Sequence, residues 1–78
     1  MHLENLVSMA NQMGEFFAAY PDRQEASEGI ATHIQKFWEP RRRLRLIDAV
    51  TAGEAPELMP LVSDAIQTHQ KKLRPVAS

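Results

Sequence analysis

The chain contains no cysteine. That absence excludes disulfides, thiol nucleophiles and any zinc or iron–sulfur site held by thiolates of this chain. Glycine occurs only three times, at Gly14, Gly29 and Gly53, too widely separated to form a phosphate-cradling loop. Neither sign of charge is in excess. Nine Lys and Arg stand against ten Asp and Glu, a formal net of −1, which argues against a polycationic nucleic-acid coat. Long apolar runs are also missing: no stretch approaches the roughly 18 uninterrupted apolar residues of a membrane span. The start, Met1 to Gln12, lacks a basic region followed by an apolar core. It is therefore read as part of the fold rather than as a signal peptide, and a soluble, cytoplasmic protein is expected.

What is present is 78 residues, 44% hydrophobic, enough for one small domain and too apolar for a disordered segment. A lone core of this size is marginal. Without disulfides, such a chain relies on close helix packing or on a partner.

The apolar residues recur at helical spacing. In the first segment Leu3, Leu6, Val7, Met9, Ala10, Met13, Phe16, Phe17 and Tyr20 share one half of the helical wheel, an arc wide enough to touch two neighbours. Pro21 ends this helix, and Asp22 to Glu25 reads as a capping box in which Asp22 accepts from the Glu25 amide. The second helix buries Ala26, Ile30, Ile34, Phe37 and Trp38. Gly14 and Gly29, both inside helices, are expected to mark the crossing of helices one and two. A third helix should run from Pro40 to about Ala52, with Gly53 as its stop. After a turn at 54–59, a fourth should run from Pro60 to about Leu73, burying Leu61, Val62, Ala65, Ile66, His69 and Leu73. The fold class expected is all-α, a small bundle of three to four short helices. Residues 1–74 form the single domain and 75–78 a flexible tail.

Catalytic chemistry finds little footing. His33 and His69 have no ligand-type residue at i±3 or i±4, so no helix presents a metal pair. No serine or threonine sits on a strained turn of the kind that exposes a nucleophile. Asp22, Glu25 and Glu28 are explained by helix capping and the helix dipole. No catalytic, cofactor-binding or metal-binding residue is assigned.

The charge map says more. Residues 1–39 carry six acids and two bases, a net of −4, and residues 40–78 carry seven bases and four acids, a net of +3. Arg41, Arg42, Arg43 and Arg45 concentrate the basic half, and the planar guanidinium suits carboxylate or phosphate recognition. Arg43 falls inside the apolar arc of its helix, so it should face an interface or a buried carboxylate. Trp38 is either a core residue or, beside the arginines, an interface anchor. An acidic protein surface fits better than nucleic acid, since the aromatic platforms of RNA readers are missing and the acidic half repels a phosphate backbone.

Two blocks then resemble a known family. Leu6-Val7-Ser8-Met9-Ala10-Asn11-Gln12-Met13-Gly14-Glu15-Phe16-Phe17 is similar to the L-V-x-M-A-N-Q-I-G-D-F-F opening of the delta subunit of cytosolic NAD-dependent, molybdenum-containing formate dehydrogenases. His33-Ile34-Gln35-Lys36-Phe37-Trp38-Glu39-Pro40-Arg41-Arg42-Arg43 resembles that family's H-[IL]-x-x-F-W-D-P-R-M-R. Glu39 stands where the pattern has aspartate, and Arg42 where it has an apolar residue. The resemblance implies a non-catalytic accessory subunit. It would dock on an alpha subunit holding molybdopterin guanine dinucleotide and iron–sulfur clusters, in a complex whose beta and gamma subunits carry flavin and further clusters. Its role would be stability, assembly or cofactor retention. Phe37, Trp38, Arg41 and Arg43 are the expected partner contacts, with Asn11 and Gln12 as secondary ones. Two alternatives share the fold: an assembly chaperone that binds and leaves, and a regulatory module binding nucleic acid through Arg41–Arg45.

Overall fold

A computed structural model of the protein describes residues 2–75. Five helices follow one another: α1 Leu3–Phe17, α2 Arg23–Phe37, α3 Pro40–Thr51, α4 Pro60–Thr68 and α5 Gln70–Leu73. No strand occurs among the described residues, and the all-α expectation holds. None of these helices is long and apolar enough to cross a membrane. The Cα radius of gyration is 11.4 Å, close to the roughly 11 Å of a compact chain this long, so no helix stands away from the rest.

Local chemistry sets most of the boundaries. Asp22 caps α2, but its side chain accepts from the Gln24 amide at 2.9 Å, one residue short of the expected capping-box partner Glu25. Pro40 and Pro60 occupy the first turns of α3 and α4, where a missing N–H leaves no hydrogen bond unmade. Gly53 takes φ +73°, the left-handed conformation that closes α3, and it is the one described residue with positive φ. α1 ends at Phe17 rather than Tyr20, with two turn residues before Pro21.

One core joins all five helices. Leu6, Val7 and Ala10 of α1 meet Ala26, Ile30, Ala31 and Ile34 of α2, Leu46 and Ile47 of α3, Leu61, Val62, Ala65 and Ile66 of α4, and Leu73 of α5. Alanine at so many of these positions lets helix backbones approach closely. Each fully buried Ile or Leu contributes about 1.5–3 kcal/mol of transfer free energy. α2 packs most extensively on α4, while α1 lies against α2, α3 and α4. The wide arc of α1 is thus used against three neighbours, yet not filled: Met9, Phe16 and Tyr20, expected to face inward, are exposed.

Two further expectations are corrected. The fourth helix is not continuous to Leu73. It breaks at His69 (φ −106°, ψ 24°), and the short α5 follows with Leu73 fully buried. Gln70 Nε2 donates to Thr51 Oγ1 at 3.0 Å and Lys72 Nζ to Thr32 Oγ1 at 3.4 Å, tying α5 to α3 and α2. Nor do the two helical glycines share one crossing. A Cβ at Gly14 would strike Val62 of α4 and approach Met59 Sδ at 3.0 Å, whereas one at Gly29 would meet the Phe17 ring at 2.6 Å. Gly14 admits α4, and only Gly29 belongs to the α1–α2 contact. Of the expected tail, Pro75 is half-buried and residues 76–78 lie outside the described residues.

Candidate functional site

The junction of α2 and α3 separates two adjacent aromatic side chains. Trp38 adopts extended backbone angles (φ −96°, ψ 133°) after the last turn of α2. That bend carries its indole into the core, 8% exposed, and leaves Phe37, expected in the buried stripe of the second helix, at 74% exposure instead. Pro40 then starts α3, which sends Arg41, Arg42 and Arg45 to solvent. No acid lies in the first turn of α3, so Arg41 and Arg42 add positive charge to the positive end of the helix dipole. Locally this arrangement is unfavourable, and an external anion would relieve it.

Arg43 occupies the inward position expected of it and is half-buried. Its Nε is buried with no hydrogen-bond partner, and among the described residues no carboxylate pairs with its guanidinium. A buried unsatisfied donor costs about 1–3 kcal/mol, more when charged. Arg41 and Arg45 also have no ion pair among the described residues. Arg42 has one, a long contact of 3.9 Å from its Nε to Glu39 Oε1. Glu39 and Arg42 are the two positions of the second block that depart from the family-like pattern, and they pair with each other. Glu39 makes no side-chain cap on α3.

Asn11 and Gln12 lie elsewhere. Asn11 Nδ2 donates to the Glu57 carbonyl at 3.0 Å, and its Oδ1 accepts from the Met59 amide at 2.8 Å. Both ends of the carboxamide therefore hold the α3–α4 connection against α1, and the residue serves the fold directly. Gln12 is exposed, and no hydrogen bond or ion pair joins either residue to the α3 arginines. Phe37, Trp38, Arg41 and Arg43 are neighbours along the α2–α3 junction, whereas the hydrogen bonds of Asn11 are made to the α3–α4 connection.

A second surface was not anticipated. Phe16 and Phe17 meet edge-to-face at 5.2 Å, Phe17 and Tyr20 lie 5.4 Å apart, Phe17 and His33 6.3 Å, and His33 and Phe37 4.9 Å. These rings form a continuous strip from the end of α1 along α2. The i, i+4 spacings Phe16–Tyr20 and His33–Phe37 were legible in the sequence; their meeting across two helices was not.

Groupings of catalytic type do not assemble among the described residues. No three His, Asp or Glu side chains converge to hold a metal ion. A polar groove of about 530 Å³ between α2 and α4 is lined by Ser27, Asp64 and His69 among others, but Asp64 is held by Arg23 at 2.9 Å and no hydrogen bond links the three.

With this geometry in place, the chain can be compared with known proteins. The family model for the NADH-dependent formate dehydrogenase delta subunit FdsD matches residues 5–66. No curated protein and no solved structure matches the chain. The chain belongs to the formate dehydrogenase delta subunit family.

Proposed function

We propose that this member of the delta subunit family is a non-catalytic accessory subunit that docks on the molybdenum-containing alpha subunit of a formate dehydrogenase complex. The docking face is the start of α3 with Phe37. In that role it supports the stability, assembly or cofactor retention of its partner. The observation that carries the reading is that Arg41, Arg43 and Arg45 make no ion pair among the described residues while Phe37 beside them is exposed. Carboxylates of the partner would pair with the accessible ends of these guanidinium groups as charge-assisted contacts at one helix end. Phe37 supplies the exposed apolar anchor, since aromatic and arginine side chains dominate the energetics of protein interfaces. Trp38 acts from beneath, holding the bend that presents Phe37. The chain has no cysteine for an iron–sulfur cluster, and the complex's molybdopterin guanine dinucleotide, clusters and flavin are assigned to the alpha, beta and gamma subunits.

Co-expression of tagged Arg41→Ala/Arg43→Ala with the alpha subunit tests this reading. The expected result is loss of at least about tenfold in co-purified alpha subunit, since two charge-assisted contacts are removed. Unchanged association together with unchanged formate oxidation overturns the assignment. Mass spectrometry of the mature complex after size exclusion separates a stoichiometric subunit from an assembly factor that leaves.

A further inference from the structure

The aromatic strip of α1 and α2 extends beyond the arginine face, which it meets at Phe37, and nothing among the described residues covers Phe16 or Phe37. Phe16 is 68% exposed and Phe37 74%, joined through the half-buried rings of Phe17 and His33, with Tyr20 beside Phe16 and Phe17 at 39%. Rings this exposed are rarely left contiguous on a small soluble protein without a partner. Below the strip, Gly29 lets the Phe17 ring lie directly on the α2 backbone, which opens a shallow groove of about 490 Å³ with Tyr20 and Phe37 on its walls.

Charge identifies the occupant. Glu25 and Glu28 line the groove, and neither makes an ion pair among the described residues. Lys36 stands at the Phe37 end as the single base of the lining. The surface is thus apolar along its length and acidic along its edge. Nucleic acid and anionic bilayers carry the same sign as that edge. A second copy of the chain offers the basic helix α3, but with one exposed large apolar side chain, Leu44, and such a contact would be head to tail and leave both ends open. We infer that the strip receives an amphipathic helix of a partner subunit, with large apolar side chains at i, i+3 or i+4 seated among the rings and Lys or Arg flanking them against Glu25 and Glu28. The choice of partner rests on the subunit reading above. The surface itself does not.

The test uses the co-expressed formate dehydrogenase complex. Phe16→p-benzoylphenylalanine is expected to photo-crosslink to a segment of another subunit in which Lys or Arg flanks apolar residues. Phe16→Ser/Tyr20→Ser, which leaves the docking face with Phe37 intact, should weaken association at least about tenfold with a little-changed melting temperature, because truncated interface aromatics are costly and exposed ones contribute little to the fold. Glu25→Lys/Glu28→Lys should weaken it several-fold at low salt, with the difference from wild type shrinking near about 0.5 M salt as the charges are screened. A crosslink to another copy of this chain, to a segment without basic residues, or no crosslink overturns the inference, as does unchanged association of the strip variants. If Arg41→Ala/Arg43→Ala alone impairs association, the strip proposal falls and the docking reading stands. If neither set does, both fall.

Discussion

Two stretches carry the family likeness, and the fold uses them in opposite ways. In the first, on α1, Asn11 clamps the α3–α4 connection through the Glu57 carbonyl and the Met59 amide, and Gly14 admits Val62 and Met59. Those residues are directed into the chain's own packing. In the second, at the α2–α3 junction, Phe37 and Arg41 lie open to solvent, and Arg43 is half-buried with no partner for its Nε. The first stretch is explained by the isolated molecule except at Phe16, which stays exposed. The second buries Ile34 and Trp38 but turns Phe37 and Arg41 outward, which is why the partner-facing side chains are concentrated there.

That contrast can be broken by substitution. The largest effect is expected at Trp38, the inward residue of the outward stretch. Trp38→Ala should cost about 3–5 kcal/mol in urea denaturation, a large part of the total stability of a domain this small. A loss below about 1 kcal/mol would show that the indole does not anchor the junction. Asn11→Ala removes two hydrogen bonds and leaves the Met59 amide without its partner, so a loss of about 1–3 kcal/mol is expected by the same measurement. Retained stability with impaired alpha-subunit association would move Asn11 back to the interface. Gly14→Ala sets overpacking against the fully buried Val62, about 1–3 kcal/mol, against a helix-propensity gain of about 1. A net loss is expected, and a stabilised variant would mean that α4 retreats freely.

The outward residues should behave differently. Arg43→Met keeps most of the apolar stem and removes the unsatisfied donor. The isolated chain is then expected to melt at the same or a slightly higher temperature, a gain of up to about 1 kcal/mol, while alpha-subunit association falls. A clear destabilisation would show that Arg43 has an internal partner. Smallest of all, Phe37→Ser should lie within about 0.5 kcal/mol of wild type in stability, one residue away from the most damaging substitution.

Helix type and number were largely legible because their signals are local. Pro40, Pro60, Asp22 and Gly53 act on the backbone at their own positions, through a missing N–H, a side-chain cap and a left-handed φ. The inward placement of Arg43 was legible too, since position on a wheel depends on helical period alone. The aromatic strip was hidden by that same device: the wheel put Phe16 and Tyr20 on the apolar side of α1, but whether a neighbour covers them depends on where α2 ends. The intrachain role of Asn11 was hidden for the same reason, because its partners lie 46 and 48 residues away.

Sequence by itself therefore determined an all-α chain without thiol chemistry, its main capped boundaries, and a family likeness strong enough for the delta subunit model to match residues 5–66. Tertiary structure alone decided the break at His69, where no proline or glycine marks a stop and after which Leu73 lies in the core. It also decided which neighbour each helical glycine admits, and which of Phe37 and Trp38 turns inward. The physical reason is common to all three. Capping and backbone conformation are settled within a few residues, whereas burial depends on surfaces that meet only after the chain has folded.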